Sequence, residues 1–446
     1  MQPRLRVAIV GGGIGGLTLA VALSHSPDIE IDVYEAAREF AEVGAGVGAW
    51  QRAWKILAKL GLEEDLAQVA FVPPLDTPKV GFQFRKGNQR EGVTFQQLMT
   101  SGGLTSFYRP DFQRVLLRHL SRRCKLHTSK RFVAYANGGD RQPIQLYFED
   151  GTTATCDLLV AADGLKSAVR ACMLKGVAAR LQAEGKRAEA TEALRHVMPS
   201  WSGMMAYRTS IDADVLRKKY PGHRVLTTPQ LYLGKDTQVT CYTMARGTRV
   251  NFAAFRARYH LQNTPLDVPW VQDVTRDEIA DDFDGWEAEV QALVECVDAT
   301  SRWAIHTVGP LKSYVDGRVI LLGDAAHAMM PFQGAGAGMA IEDAFILAAL
   351  LNLEGTQRKD LARAAAVYDA IRRPFSQHVA ELSAENGKLY TLNHPDLVFN
   401  DGNPISRADD PRLQKTFAWV RDNWTWAWDT TIDRDLERAL AMFTGR

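Results

Sequence analysis

The chain has 446 residues, which at about 150 residues per domain points to two or three folding units. Hydrophobic residues make up 46% of it, and 53 Lys and Arg against 52 Asp and Glu leave a net charge of +1. This balance excludes intrinsic disorder as the main state and lacks the basic excess of a nucleic-acid binder. Cys124, Cys156, Cys172, Cys241 and Cys296 lie far apart with no C-x-x-C pair, which argues against a disulfide framework or a structural zinc site and favours a reducing compartment. The opening MQPRLRVAIVGGG enters a strand at once, without a signal-peptide core, and no window of about 18 apolar residues follows. The expectation is a cytoplasmic protein that engages neither membrane nor nucleic acid.

Residues 5–35 read as a βαβ unit: the apolar run 7–10, a glycine cluster, a helix over 17–24 and a second strand over 29–34. Residues 50–60 fit an amphipathic helix stopped by Gly61, and 110–121 fit another with Pro110 near its start. Residues 144–160 alternate and turn at Asp150-Gly151, a hairpin signal. Residues 174–195, rich in Ala, Arg, Lys and Glu, suit an exposed helix or a mobile excursion. From 201 to 256 the pattern is strand-like (WSGMMAYRTSI, QLYLG, QVTCYTM, VNFAAF), as for a mostly antiparallel sheet. Helices are expected over 286–296, 341–353 and 360–390, and a buried strand over 319–322. The last segment carries Trp419, Trp424, Trp426 and Trp428, suited to packing the tail onto the rest of the chain or to lining a dimer seam.

The glycine cluster satisfies G-x-G-x-x-G at Gly11, Gly13 and Gly16, with Ile14 between them as a further cofactor-binding candidate. Such glycines allow a tight turn, close approach of a pyrophosphate and close helix–strand packing, while the helix N-terminus offers free N–H groups to phosphate. Glu35 ends the second strand, where an acid meets ribose hydroxyls. Strand before, helix after and acid at the right distance turn a weak motif into a strong one. Arg38 is placed to cover an adenine or to serve as a plain surface arginine. Two further strand ends carry acids: Asp163-Gly164, running on to Arg170, and Gly323-Asp324-Ala-Ala-His327, followed by the small-residue loop 331–339. As ordinary structure, Asp163 and Asp324 would be helix N-caps. No metal-ligand spacing such as H-E-x-x-H occurs, and Ser167 lacks a G-x-S-x-G elbow.

The glycine fingerprint, the Asp-Gly stretch and GDAAH resemble, in order and spacing, the single-component FAD-dependent aromatic hydroxylases of the para-hydroxybenzoate hydroxylase class. Longer stretches (EAAREFAEVGAGVGAW, AYR at 206–208, QLYLG, SRWAIHTVGPLKSYVDGRVILLGDAAHAM, PFQGAGAGMAIEDA and the tryptophan-rich tail) are most similar to the salicylate 1-monooxygenase branch in its fungal form. The resemblance implies an α/β fold: a Rossmann-type FAD-binding domain with an inserted, mostly antiparallel β-sheet substrate domain and a helical C-terminal tail. The corresponding segments are 1–200 and 301–380 for FAD, 201–300 for substrate and 381–446 for the tail.

It also implies tightly but non-covalently bound FAD, NADH or NADPH as a transient reductant, and dioxygen as co-substrate. By resemblance Arg109 contacts the cofactor, Asp163-Gly164 serve both FAD and nicotinamide, and Asp324 meets the ribitol chain. Gly336 and Ala337 lie in the loop whose N–H groups stabilise the charge of reduced flavin. Arg208, Tyr242 and Pro331 are the catalytic candidates, and Arg208, Gln238, Tyr242 and Phe332 the substrate candidates; Arg208 and Tyr242 equally suit plain strand residues at the domain seam. His327 reads as part of a cofactor turn rather than a base. The chain departs from the bacterial enzymes at Gln238 and Phe332, where they carry histidines, and at Gln51-Arg52, where they carry Pro-Asn; these changes put identical substrate contacts in doubt. The implied reaction is hydroxylation of a phenolic acid through a flavin C4a-hydroperoxide, with decarboxylation of salicylate to catechol foremost and another phenolic acid or fungal polyketide phenol as the alternative. A two-electron NAD enzyme would purify without yellow flavin. A non-catalytic binding protein of the same fold, as in GDP-dissociation inhibitors, would have no need to keep Glu35, Asp163 and Asp324. The expected assembly is a monomer or homodimer.

Overall fold

The computed structural model describes residues 3–40, 46–72, 77–139, 142–244, 247–399 and 404–445, so residues 41–45 of the EAAREFAEVGAGVGAW stretch lie outside the described residues. Leu5–Val10 is apolar and buried along nearly its whole length, as a strand covered on both faces requires. It pairs in parallel with Ile29–Tyr34 on one side and Leu158–Ala161 on the other. Cys124–His127 extends the sheet beyond Ile29–Tyr34, and Val319–Leu321 beyond Leu158–Ala161, with Val315–Asp316 as an antiparallel edge. The Ile14–Leu23 helix packs on this sheet and the Gly336–Asn352 helix packs on Ile14–Leu23, with apolar residues of both fully buried in one core. The two acids at strand ends, Asp163 and Asp324, therefore emerge side by side with the glycine turn at the carboxyl edge, the usual ligand edge of an open parallel sheet.

The second sheet has eight strands, in the order Val271–Thr275, Ala299–Thr307, Ser200–Asp212, Arg249–Ala257, Thr237–Met244, Gln230–Leu233, Pro78–Lys86, Val93–Ser101. All pairs are antiparallel except Gln230–Leu233 with Pro78–Lys86. The sheet thus draws on residues outside 201–300. Pro78–Lys86 is hard to read as a strand because Arg85 is buried in it, and that charge is compensated by its ion pair with Glu287 and by bonds to Thr94 and the Gly92 carbonyl.

The hairpin at Asp150-Gly151 forms from Ile144–Phe148 and Thr153–Cys156. Residues 174–195 fall in two helices, Ala168–Ala183 and Arg187–Arg195. Leu361–Tyr390 is a 30-residue helix that leads to the tail helices Pro411–Trp424 and Asp433–Thr444. Among the described residues, no helix is long and apolar enough to cross a membrane.

Candidate active site

The glycine turn is sterically closed. Gly11 has φ +109°, and a Cβ there would overlap the Ala162 carbonyl oxygen, while one on Gly16 would overlap the carbonyl of Gly11. Neither position admits a side chain. Gly13 caps the following helix without any side-chain bond, which leaves the first N–H groups for an anion. Glu35 is aimed by the backbone, accepting from Gly12 N–H at 2.9 Å and Ala37 N–H at 2.8 Å. Gln113 holds the turn from behind, its Nε2 donating to the Gly12 carbonyl at 2.8 Å.

A cleft of about 250 Å³ runs from this turn between the two acid-bearing strand ends. Gly13, Ile14, Arg109, Gly164, Asp324, Gly336 and Ala337 all line it, so the structure brings together most of the cofactor residues expected from the sequence. Arg38 is exposed and outside this lining. The Asp324 carboxylate is exposed at the cleft beside Gly336, free of a capping role. Asp163 is not the N-cap of the next helix, which is Ser167 with its Oγ accepting from Arg170 N–H; it accepts from Ser167 Oγ at 2.5 Å and Val169 N–H at 3.1 Å, and burial still pushes its carboxyl above the usual range. Sequence reasoning assigned no role to Arg170. Its buried guanidinium donates to the carbonyls of Leu165, His196 and Ala325, tying the Asp-Gly turn to the GDAAH turn. The cleft thus offers an uncapped helix N-terminus and, further along, the exposed Asp324 carboxylate, while Glu35 stands outside its lining.

A second cavity of about 220 Å³ adjoins the cleft, and Arg208 lines both. It is the only charged residue among the described residues lining the second cavity. Tyr242, Pro331 and Phe332 line it as well, with walls from Phe82, Phe255, Tyr390 and Trp424. Burial pushes the Tyr242 hydroxyl up, while the nearby Arg208 charge works to lower it. Gln238 stands outside this lining: its side chain is fully buried and its Oε1 accepts from Thr240 Oγ1 at 3.0 Å. Thr240, Asn251 and Ser106 are the polar lining residues that sequence reasoning missed. Thr240 and Asn251 lie on strands of the expected sheet, but only the register of Thr237–Met244 against Arg249–Ala257 brings them to the cavity with Tyr242.

Residues 4–383 match the family model described as an FAD binding domain. The chain is 36% identical to a salicylate hydroxylase of Pseudomonas putida, across 98% of this chain and 95% of that one. It belongs to the FAD-dependent aromatic monooxygenases. A 6-methylsalicylate 1-monooxygenase of Aspergillus terreus is 29% identical across 99% of this chain and 92% of its own length. A solved salicylate hydroxylase–substrate complex superposes with a TM-score of 0.82 at 30% identity, covering 98% of each chain.

In this monooxygenase His327 is buried and its Nε2 is 2.6 Å from Asp343 Oδ2. Asp343 also accepts from Gly323 N–H at 3.0 Å and from Arg372 Nε at 2.8 Å. Arg372 reaches Glu342, which pairs in turn with Arg52. The histidine thus belongs to a buried charge chain beneath the cofactor turn. Arg52 explains one departure from the bacterial pattern: it anchors the tail through Asp435. Two of the four late tryptophans of the monooxygenase pack the tail, since Trp424 and Trp428 are buried against Trp50.

Proposed function

We propose that the enzyme carries out decarboxylating hydroxylation of salicylate to catechol, with NADH or NADPH as reductant. The observation that carries this reading is Arg208, the single charged group among the described residues lining a mainly aromatic and apolar cavity, placed at its border with the FAD cleft. A guanidinium there suits bidentate pairing with a carboxylate. It would set the carboxylate-bearing carbon toward the flavin side while Tyr242 meets the phenolic oxygen. The aromatic walls, with Phe332 as ceiling, orient the ring and exclude water. The N-terminus of the Gly336–Asn352 helix supports negative charge on the reduced cofactor. FAD, held by the glycine turn and by the cleft lined by Arg109, Asp324 and Gly336, would supply the hydride acceptor and the dioxygen chemistry. For salicylate the balance is one dioxygen, one reduced nicotinamide and two protons, giving catechol, carbon dioxide, water and oxidised nicotinamide.

A second reading, hydroxylation of a substituted phenolic acid, has its own support. Ala206 and Ala253 leave the cavity wall without bulk, and the Aspergillus relative is named for 6-methylsalicylate. Five free cysteines suit a reducing, cytoplasmic setting. The test is NADH and NADPH consumption by FAD-loaded enzyme with and without salicylate, with product identification. Catechol and carbon dioxide in step with reductant support the first reading. Stimulated consumption yielding only hydrogen peroxide, or no stimulation, overturns salicylate and directs the assay to substituted phenolic acids.

A further inference from the structure

Gln333 is completely buried between Phe332, the ceiling of the aromatic cavity, and Gly334, whose φ of +58° opens the turn into the flavin-side helix. Its backbone carbonyl accepts two indole N–H groups, Trp50 Nε1 at 2.7 Å and Trp424 Nε1 at 2.9 Å. Its side chain is held as well: Oε1 accepts from Trp426 Nε1 at 3.2 Å, and Nε2 donates to the Asn423 carbonyl at 2.8 Å. A carbonyl oxygen has two lone pairs, so both are taken. Trp50 precedes the Gln51–Lys59 helix and Trp424 ends the Pro411–Trp424 helix, so the two donors come from opposite ends of the chain. Both rings also line the aromatic cavity.

We propose that Trp50 and Trp424 are positioning residues: they fix the 333–334 peptide and thereby set the electrostatics of the flavin-facing loop and the coupling of reductant use to hydroxylation. The physical case rests on Gly334. The N–H of this peptide makes one local bond, Gly334 N–H to the Pro331 carbonyl at 3.0 Å, and a peptide next to a glycine can flip at little steric cost, so the hold on its oxygen comes from the two indoles. A flip would swing a carbonyl oxygen, partly negative, toward the side where the loop presents Gly336 and Ala337 to the cleft. Reduced flavin is anionic, and an oxygen facing it repels where an N–H attracts. The two indole bonds hold the oxygen turned to the C-terminal segment. Because the same two rings wall the cavity, substrate and loop are registered on one pair of side chains.

Trp→Phe keeps an aromatic ring and removes only the N–H. W50F, W424F and the double variant are compared with W428F, whose ring packs on both indoles with centroids 5.3 and 6.0 Å away and lies outside the cavity lining. The readouts are the midpoint potential and visible spectrum of bound flavin without substrate, which do not depend on salicylate being the true substrate, and then the peroxide share of NADH consumed with it. The expected result is a more negative potential in W50F and in W424F, larger in the double variant, with W428F at the parent value. The peroxide share should rise about threefold to tenfold, the effect of losing one neutral hydrogen bond. W50F and W424F lie on separate segments, so a folding failure in one leaves the other to decide. Parent potential and spectrum in the indole variants, with only a lowered melting temperature, would show a merely structural role and overturn the proposal.

Discussion

His327 and Asp343 form a buried pair, Nε2 to Oδ2 at 2.6 Å, directly under the turn that carries Asp324. Burial alone would raise the Asp343 carboxyl, but His327 and Arg372 pull it down to about 2. A carboxyl depressed in the folded state contributes stability above its unfolded value of about 4 and loses it as pH falls through the folded value. The enzyme is therefore expected to lose stability between about pH 4 and pH 2, followed by circular dichroism. Asp343→Asn should cost about 3–5 kcal/mol, since it leaves Arg372 and His327 short of a buried partner, and should flatten that acid limb. A variant with the parent's acid profile would show that other carboxylates control it.

Arg208 supplies the cation at the border of the two cavities. Arg208→Gln should weaken binding of a phenolic carboxylate about 10- to 100-fold, the value of a charge-assisted hydrogen bond, with FAD content unchanged. Titration by flavin absorbance checks it. Unchanged affinity would move carboxylate recognition to other residues.

Gly387, within the long helix, makes room for Phe332. A Cβ there would lie 2.6 Å from the Phe332 ring. Gly387→Ala should push this ceiling into the cavity, raising KM for the aromatic substrate and costing about 1–3 kcal/mol through overpacking. Steady-state kinetics beside a thermal melt separate the two effects.

Gly11 combines φ +109° with a backbone oxygen where a side chain would stand. Gly11→Ala should shift the turn and yield protein with little or no flavin, read from the absorbance of the purified enzyme. Full FAD content would mean that the turn relaxes without loss of the cofactor cleft.

The cofactor half of the site was legible because its signals are local. Gly11, Gly13 and Gly16 sit inside one βα turn, Glu35 one strand later, and Asp163 and Asp324 at the ends of apolar strands. Parallel pairing at the sheet centre then brings these ends together with little freedom. The substrate half was only partly legible. Arg208 and Tyr242 were read from the resemblance, but Gln238 proved to stand behind Thr240, and Asn251 and Ser106 drew no notice.

Sequence by itself determined the dinucleotide turn, the α/β order and the β-rich insertion, since glycine conformations and apolar periodicity act over a few residues. Only the tertiary structure decided that Pro78–Lys86 joins the second sheet in parallel, that His327 is locked to Asp343, and that Trp50 and Trp424 meet on the carbonyl of Gln333. These contacts join segments far apart in the chain. Their partners are selected by packing volume and by the need to satisfy buried polar groups, which no local pattern encodes.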